Sequence, residues 1–357
     1  MHSLDDIDEI RKIDKGNILA SIVLLPQQVE QAWREVNNLE IPQNFKEAKN
    51  IVLSGMGGSA LGGRIIDSLI LERLRAPFEV FTGFKLPRYA NSDTLFIASS
   101  YSGNTEETLS SAKDAIAKGV KMFGIGTGGK LEEFFKSEKK PFYQVLPYAN
   151  PSNQPRMGLG YAVTSILALL AKLKFIDIAE GEITSTIRIM GEFMTEFGVD
   201  NPSHQNLAKA TAAKIKGKIP VIIASEHLLG SAHAFKNQLN ENAKTFSVLF
   251  DIPEMNHHLL EGLTHPAEAK ERLMFLFIES QLYPKEIGLR YPITREVVEK
   301  NEVKTASFRL RSEGKLEQIF ELLLFGSFVS LYLALLYGTD PYPIPWVDYF
   351  KEKLSKN

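Results

Sequence analysis

The sequence predicts an α/β protein with two parallel sheets, each carrying helices on both faces. Two patterns point to it. Short apolar runs alternate with helix-period stretches along most of the chain, as in strands joined by crossover helices. Prolines at Pro147, Pro151 and Pro155, followed by the strongly apolar helix pattern Tyr161–Leu173, divide that alternation into two sets. Length agrees, since 357 residues at 44% hydrophobic can fill two cores.

The elements follow in order. Residues 16–37 read as a helix, so residues 1–34 form an N-terminal helical segment. Residues 35–150 form the first α/β domain. In it the apolar run Ile51–Leu53 leads through a glycine loop into the helix pattern Leu61–Leu74. Phe78–Phe84, Thr94–Ala98, Lys121–Ile125 and Phe142–Leu146 are the other strands, and a helix runs from Thr105 to about Lys118. Residues 151–184 form a helical linker. The helix Ile183–Phe197 spans the boundary into residues 185–357, which carry the strands Ile219–Ala224, Thr245–Leu249, Leu273–Ile278 and Ala306–Leu310 and end in a C-terminal helix. This second domain repeats the layout of the first, but its loop Ser225-Glu226-His227 lacks the glycine cluster.

Composition removes several function classes. With 41 basic and 43 acidic residues the chain lacks the excess positive charge of a nucleic-acid binder. Cysteine is absent, which excludes disulfides, Cys-based zinc or iron–sulfur sites and a thiol nucleophile, and fits a cytoplasmic protein. Met1–Lys15 is charged and has no apolar signal-peptide core. The apolar run Leu322–Gly338 is shorter than the ~20 residues of a membrane span. It follows Glu317 and Glu321 and reads as a buried core helix, so no membrane partner is expected.

Two loops carry the chemistry of anion binding. Ser54–Gly63 follows a strand and opens a helix; its glycines let backbone approach a ligand and Ser59 adds a hydroxyl. Ser99–Thr105 also joins a strand to a helix and is dense in hydroxyls. In a parallel sheet both lie at the strands' carboxyl ends, where ligands bind. Ser, Thr, Asn and Gly also serve as ordinary caps and turns, but two such loops at successive strand ends favour phosphate. Gly55–Ala60 also fits the dinucleotide pattern G-x-G-x-x-A. That reading needs an acid at the end of the second strand, whereas Glu79 lies near its start.

At these residues the chain resembles the SIS (sugar isomerase) family, and within it the bifunctional phosphoglucose/phosphomannose isomerases. The matching stretches are Gly55–Ser59, Ser100–Thr105, Pro155-Arg156, Asn240–Lys244, Pro253–His257 and Lys351. The resemblance implies two SIS-type, flavodoxin-like domains, usually in a homodimer with the active site between domains and near the subunit interface. It implies a sugar-phosphate substrate held by Gly58, Ser59, Ser100, Ser102 and Thr105. Glu241 matches the base that moves a proton between C1 and C2. His257 matches the ring-opening residue, donated by the neighbouring subunit, with His258 beside it as the alternative. Arg156 matches the arginine near the developing enediolate. Lys351 matches a lysine of the C-terminal helix, with Lys353 as the alternative.

These residue types suit an enediol isomerisation. A phosphate grip orients the reacting end through binding at the other end. Histidine shuttles a proton near neutral pH, a carboxylate moves the C2 proton, and arginine offers a fixed charge with several donors. If Arg156 and Lys351 supply that charge, neither a metal nor a cofactor is required. The bland readings are a surface pair for Glu241 and Lys244 and a surface loop for His257 and His258. His257, His258, Glu254 and Glu261 are the one candidate zinc set. Two other functions stay open: an SIS sensor that binds sugar phosphate without turnover, and an isomerase of another sugar phosphate.

Overall fold

The computed structural model describes residues 4–70, 72–354 and 356. Three helices, α1 (Ile7–Ile13), α2 (Ile18–Val23) and α3 (Leu25–Asn38), lead into the first sheet unit. That unit contains β1 (Asn50–Ser54), α4 (Gly58–Ile70), β2 (Phe78–Phe81), β3 (Thr94–Ser99), α5 (Glu106–Ala117), β4 (Lys121–Gly126), α6 (Gly129–Ser137) and β5 (Phe142–Gln144). Next come α7 (Leu159–Lys172), α8 (Glu180–Phe197) and α9 (Leu207–Ile215). The second unit has β6 (Ile219–Ala224), α10 (Leu229–Glu241), β7 (Val248–Asp251), α11 (Ala269–Arg272), β8 (Leu273–Glu279), α12 (Lys285–Gly288), α13 (Arg290–Lys300) and β9 (Lys304–Arg309). The long α14 (Lys315–Leu336) and the terminal α15 (Pro345–Leu354) close the chain.

Both sheets are parallel throughout. The first runs β2-β1-β3-β4-β5 and the second β7-β6-β8-β9. In each, the chain leaves the sheet's first-formed strand to one side and returns on the other. The switch points therefore lie between β1 and β3 and between β6 and β8, where crevices form beyond the strand ends. The hydroxyl-rich loops of the sequence are the two that follow β1 and β3.

Alternation along the strands explains the layers. Ile51, Leu53, Leu95, Ile97 and Phe123 face one large core. Val52, Phe96, Ala98 and Met122 face the other way, onto Ala112, Leu131 and Phe135 of α5 and α6. The large core is shared with the second sheet through α4, α7, α10 and α14. α14 is long and apolar enough to cross a membrane by length and composition, yet 94% of that stretch is buried inside the protein. It is the central core helix expected from the sequence, apolar all round because neighbours surround it.

Two boundaries differ instructively. The single helix expected over residues 16–37 is two, because Pro26 in the first turn of α3 has no N–H to continue a helix through it. The strand expected at Thr245 starts at Val248, because residues 242–247 form a tight loop. In it Lys244 takes the left-handed φ of 52° and Asn240 Oδ1 accepts the Ser247 backbone N–H at 3.0 Å.

Candidate active site

The two loops at the first switch point are tied to each other. Tyr101 N–H donates to Ser59 Oγ at 2.8 Å, and Ser99 Oγ donates to Ser59 O at 3.2 Å. Ser100 Oγ and Thr105 Oγ1 share a hydrogen bond of 2.8 Å, and Ser102 Oγ accepts from Asn104 N at 3.3 Å. The hydroxyls are thus used in a way that leaves donors for a ligand. Ser59 and Ser102 accept and keep their own O–H, and the Ser100–Thr105 pair needs one hydrogen of its two. Thr105 stands at the N-cap of α5 but makes no capping bond. The ordinary explanation for a hydroxyl there therefore does not hold. The first turn of α4 carries no acidic residue, which suits an anion, whereas Glu106 and Glu107 already answer part of the positive end of α5.

Two glycines hold the loops close. Gly103 has φ 68°, and a Cβ there would lie 1.7 Å from Gly128 O, so the turn is closed to any side chain. Gly58 is squeezed against the arginine turn, where an added Cβ would meet Pro155 C at 2.8 Å and Arg156 N at 3.0 Å. That contact brings the third sequence motif to the phosphate loops. Gly58, Ser59, Tyr101 and Pro155 line one recess.

Arg156 is 1% exposed and almost fully bonded. Nε donates to Asn242 Oδ1 at 2.6 Å, and Nη1 to Gln154 Oε1 at 2.7 Å. Nη2 donates to Pro341 O at 3.0 Å and Tyr342 O at 2.8 Å. Nη1 also stands 3.6 Å from Glu241 Oε2. The arginine thus joins the end of α10 to the segment that precedes α15. Burial pushes Glu241 above the ordinary carboxylate range, against the opposing charges of Arg156, Lys244 and Lys351. Burial also pushes Arg156 down from its usual value, against Glu241, Tyr342 and Asp348, yet it stays charged.

Lys351 therefore acts electrostatically on Glu241, while Lys353 Nζ lies 5.4 Å over the Tyr349 ring. The surface pair of Glu241 and Lys244 does not form, because Lys244 Nζ donates to the Glu241 carbonyl at 2.7 Å and not to its carboxylate. Asn242 and Gln154 are two site residues that sequence reasoning left without a role. Asn242 follows Glu241 and Gln154 stands two residues before Arg156, and that proximity was the available signal.

His257 stands apart. In a parallel β–α–β unit the connecting helix runs back, so Glu241, at the end of α10, lies at the amino end of the second sheet. His257 follows β7 in the turn Glu254–His257, at the carboxyl end of that sheet, and is exposed. Within one chain Gly58 packs on Arg156, which faces Glu241, and Ser59 is bonded to the loop of Ser100, Ser102 and Thr105; Lys351 acts on Glu241 by its charge, whereas His257 lies at the other end of the second sheet from Glu241. His258 Nε2 pairs with Glu254 Oε2 at 2.6 Å. Among the described residues no three of His, Asp or Glu converge as a ligand set, the zinc candidates around His257 included. Glu79, the acid of the dinucleotide reading, instead accepts the Tyr89 hydroxyl.

The second sheet's own switch point is filled by the chain. In the loop after β6, Ser225 N donates to the Tyr283 hydroxyl at 3.2 Å and Ser225 Oγ to Ile252 O at 2.7 Å, and in the loop after β8, Ser280 Oγ donates to Gln318 Oε1 at 2.6 Å. Donors of the kind that an anion would use are already answered there.

Parallel sheets with hydroxyl-and-glycine loops at a switch point, beside a buried arginine and a carboxylate, define a protein of the SIS class. Residues 204–354 match the family described as bacterial phospho-glucose isomerase C-terminal SIS domain. The chain is 33% identical over 338 residues to the bifunctional phosphoglucose/phosphomannose isomerase of Caldicellulosiruptor bescii, covering 94% of this chain and 98% of that one. It is 30% identical to the enzyme of the same name from Aquifex aeolicus, covering 92% and 98%. The crystal structure of a hypothetical protein from Thermus thermophilus shares the fold, with a TM-score of 0.76 at 16% identity over 98% and 94% of the two chains. The chain belongs to the bifunctional phosphoglucose/phosphomannose isomerase family.

Proposed function

We propose that the chain is an aldose–ketose isomerase that interconverts glucose 6-phosphate and mannose 6-phosphate with fructose 6-phosphate through a cis-enediol, in the cytoplasm. The observation that carries the reading is the half-buried Glu241 carboxylate, 3.6 Å from Arg156 Nη1, on an arginine that also packs against the phosphate loop at Gly58. A sensor of sugar phosphate has use for the loops but none for this pair.

The residues take these roles. Gly58, Ser59, Ser100, Ser102 and Thr105 hold the phosphate. Glu241 takes the C2 proton of the aldose and returns it to C1. Its raised proton affinity brings it closer to working pH, which favours proton return. Removing the C2 proton erases that stereocentre, so one enediol serves both aldoses. Arg156 and Lys351 supply positive charge to the enediolate, with no metal in the scheme. His257 opens the ring from a second copy of the chain. The topology that separates it from Glu241 within one chain supports that arrangement.

Proton exchange tests the reaction. EDTA-treated protein in D2O is incubated with glucose 6-phosphate and with mannose 6-phosphate, and followed by NMR. Fructose 6-phosphate is expected from both, with solvent deuterium entering at the carbons that exchange the proton. Absence of both product and exchange would sink the reading.

Subunit mixing tests the histidine. Glu241→Gln and His257→Asn chains are each expected to be inactive. Refolded or expressed together, they should regain roughly a quarter of wild-type activity, since half the dimers are mixed and each then holds one intact site. No recovery in a verified mixed dimer would place His257 and Glu241 of one chain in one site, and an active His257→Asn chain would remove His257 from the mechanism.

A further inference from the structure

The loop after α10 turns a cation back onto the protein. Lys244 sits in the left-handed region at φ 52°, where a helix-ending glycine is more usual. The residue as a whole is exposed, yet its ammonium is directed back onto the protein. Nζ donates to Glu241 O at 2.7 Å, Asn242 O at 3.3 Å and Pro341 O at 3.2 Å. Two of those are carbonyls at the end of α10, left over by the helix. The third is distant in sequence, and it is the same Pro341 oxygen that Arg156 Nη2 reaches at 3.0 Å. Two cations thus converge on one carbonyl at the root of the segment carrying α15. A lysine serving only as a helix cap needs no such distant acceptor. Desolvation of the ammonium pushes Lys244 down to about 8, with Arg156 adding to the shift and Asp340 and Glu241 opposing it. Perturbed groups in such places often mark functional sites.

We propose that Lys244 is a positioning residue of the isomerase: its ammonium ties the end of α10, which bears Glu241, to Pro341, and so holds α15 where Lys351 faces Glu241. This rests on Glu241 being the base. The charged groups that act on Glu241 are Arg156 from the turn Pro155–Met157, Lys244 from its own loop and Lys351 from α15. No described residue of α15 is buried, and both Lys244 and Arg156 bond the Pro341 carbonyl at its root. Removing Lys244 takes one cation from Glu241 directly and loosens a second.

The experiment compares Lys244→Met, Lys244→Arg, Lys244→Gln and Glu241→Gln in the full chain. For Lys244→Met, kcat should fall about 10- to 100-fold, the loss typical of a misplaced reacting group. KM should change less than about threefold, because the phosphate loops belong to the first sheet and keep their bonds. The acid limb of kcat/KM should move to higher pH, since a carboxylate that loses neighbouring cations binds its proton more tightly. Lys244→Arg should recover most of kcat. If Lys244→Met does not fold, Lys244→Gln is read by the same three quantities. A folded variant with unchanged kcat, or a reduced kcat with an unmoved acid limb, overturns the proposal while Glu241→Gln remains inactive. Activity retained in Glu241→Gln overturns the base assignment itself, and the proposal with it.

Discussion

Glu241→Gln should lower kcat by about 10³-fold while sugar-phosphate binding stays within a few-fold of wild type. General-base catalysis contributes roughly 10²–10⁴-fold, and an amide cannot take the C2 proton. The substitution is nearly isosteric. The contacts that hold the end of α10 belong to Asn242, which accepts from Arg156 Nε and donates to Ser330 Oγ at 3.1 Å, and to the backbone carbonyl that Lys244 uses. None of them involves the Glu241 side chain, so the fold and the phosphate loops should survive. Steady-state kinetics together with calorimetric titration of fructose 6-phosphate checks both halves. A variant that turns over at near-normal rates would remove Glu241 as the base. One that loses binding and turnover together would make its role structural. The wild-type enzyme should also lose kcat/KM as pH falls through the Glu241 pKa, which burial has raised, because the protonated carboxyl is no base.

Arg156→Lys should be the second large effect, in catalysis and stability together. The guanidinium satisfies Asn242, Gln154, Pro341 and Tyr342 in four directions at once, and an ammonium offers three donors on a shorter reach. At least one acceptor is left without its donor around a side chain that is 1% exposed. We expect a loss of about 2–4 kcal/mol in unfolding free energy, in line with breaking a buried charged network. We expect kcat to fall roughly 10²- to 10³-fold, the scale for losing one preorganised charge at a developing oxyanion. Urea unfolding followed by circular dichroism and initial-rate kinetics on the same preparation separate the two. Full stability with lost activity would mean that the arginine's bonds to the α15 root carry little weight. Full activity with lost stability would deny it a part in the chemistry.

Much of this architecture was legible before any coordinates. Apolar runs and helix-period stretches marked the nine strands among the described residues to within a few residues, most firmly the central ones, since a buried parallel strand must be apolar and a crossover helix must be amphipathic. The phosphate loops were legible for a similar local reason. Gly103 can be only glycine at its φ and spacing, and hydroxyls at a strand end carry their chemistry on their own side chains. The break at Pro26 was written in the sequence too, though the helical period around it masked the break. The late start of β7 was not, because it depends on the tight loop of residues 242–247, in which Lys244 takes a left-handed φ that lysine rarely signals.

What the sequence by itself determined, then, is the set of parts: two parallel sheets, a pair of anion-ready loops, a carboxylate, an arginine, a histidine and a lysine, each tied to a local motif. The tertiary structure alone decided which of them meet. It placed Gly58 against Arg156, bonded that arginine to Asn242 and to the carbonyls of Pro341 and Tyr342, and so drew Glu241 and the α15 segment to the first sheet's switch point. It also set His257 at the opposite end of the second sheet from Glu241, although the two are near neighbours along the chain. The physical reason is that propensity and periodicity act over a few residues, whereas a buried guanidinium must find its acceptors wherever the packing of distant helices happens to offer them.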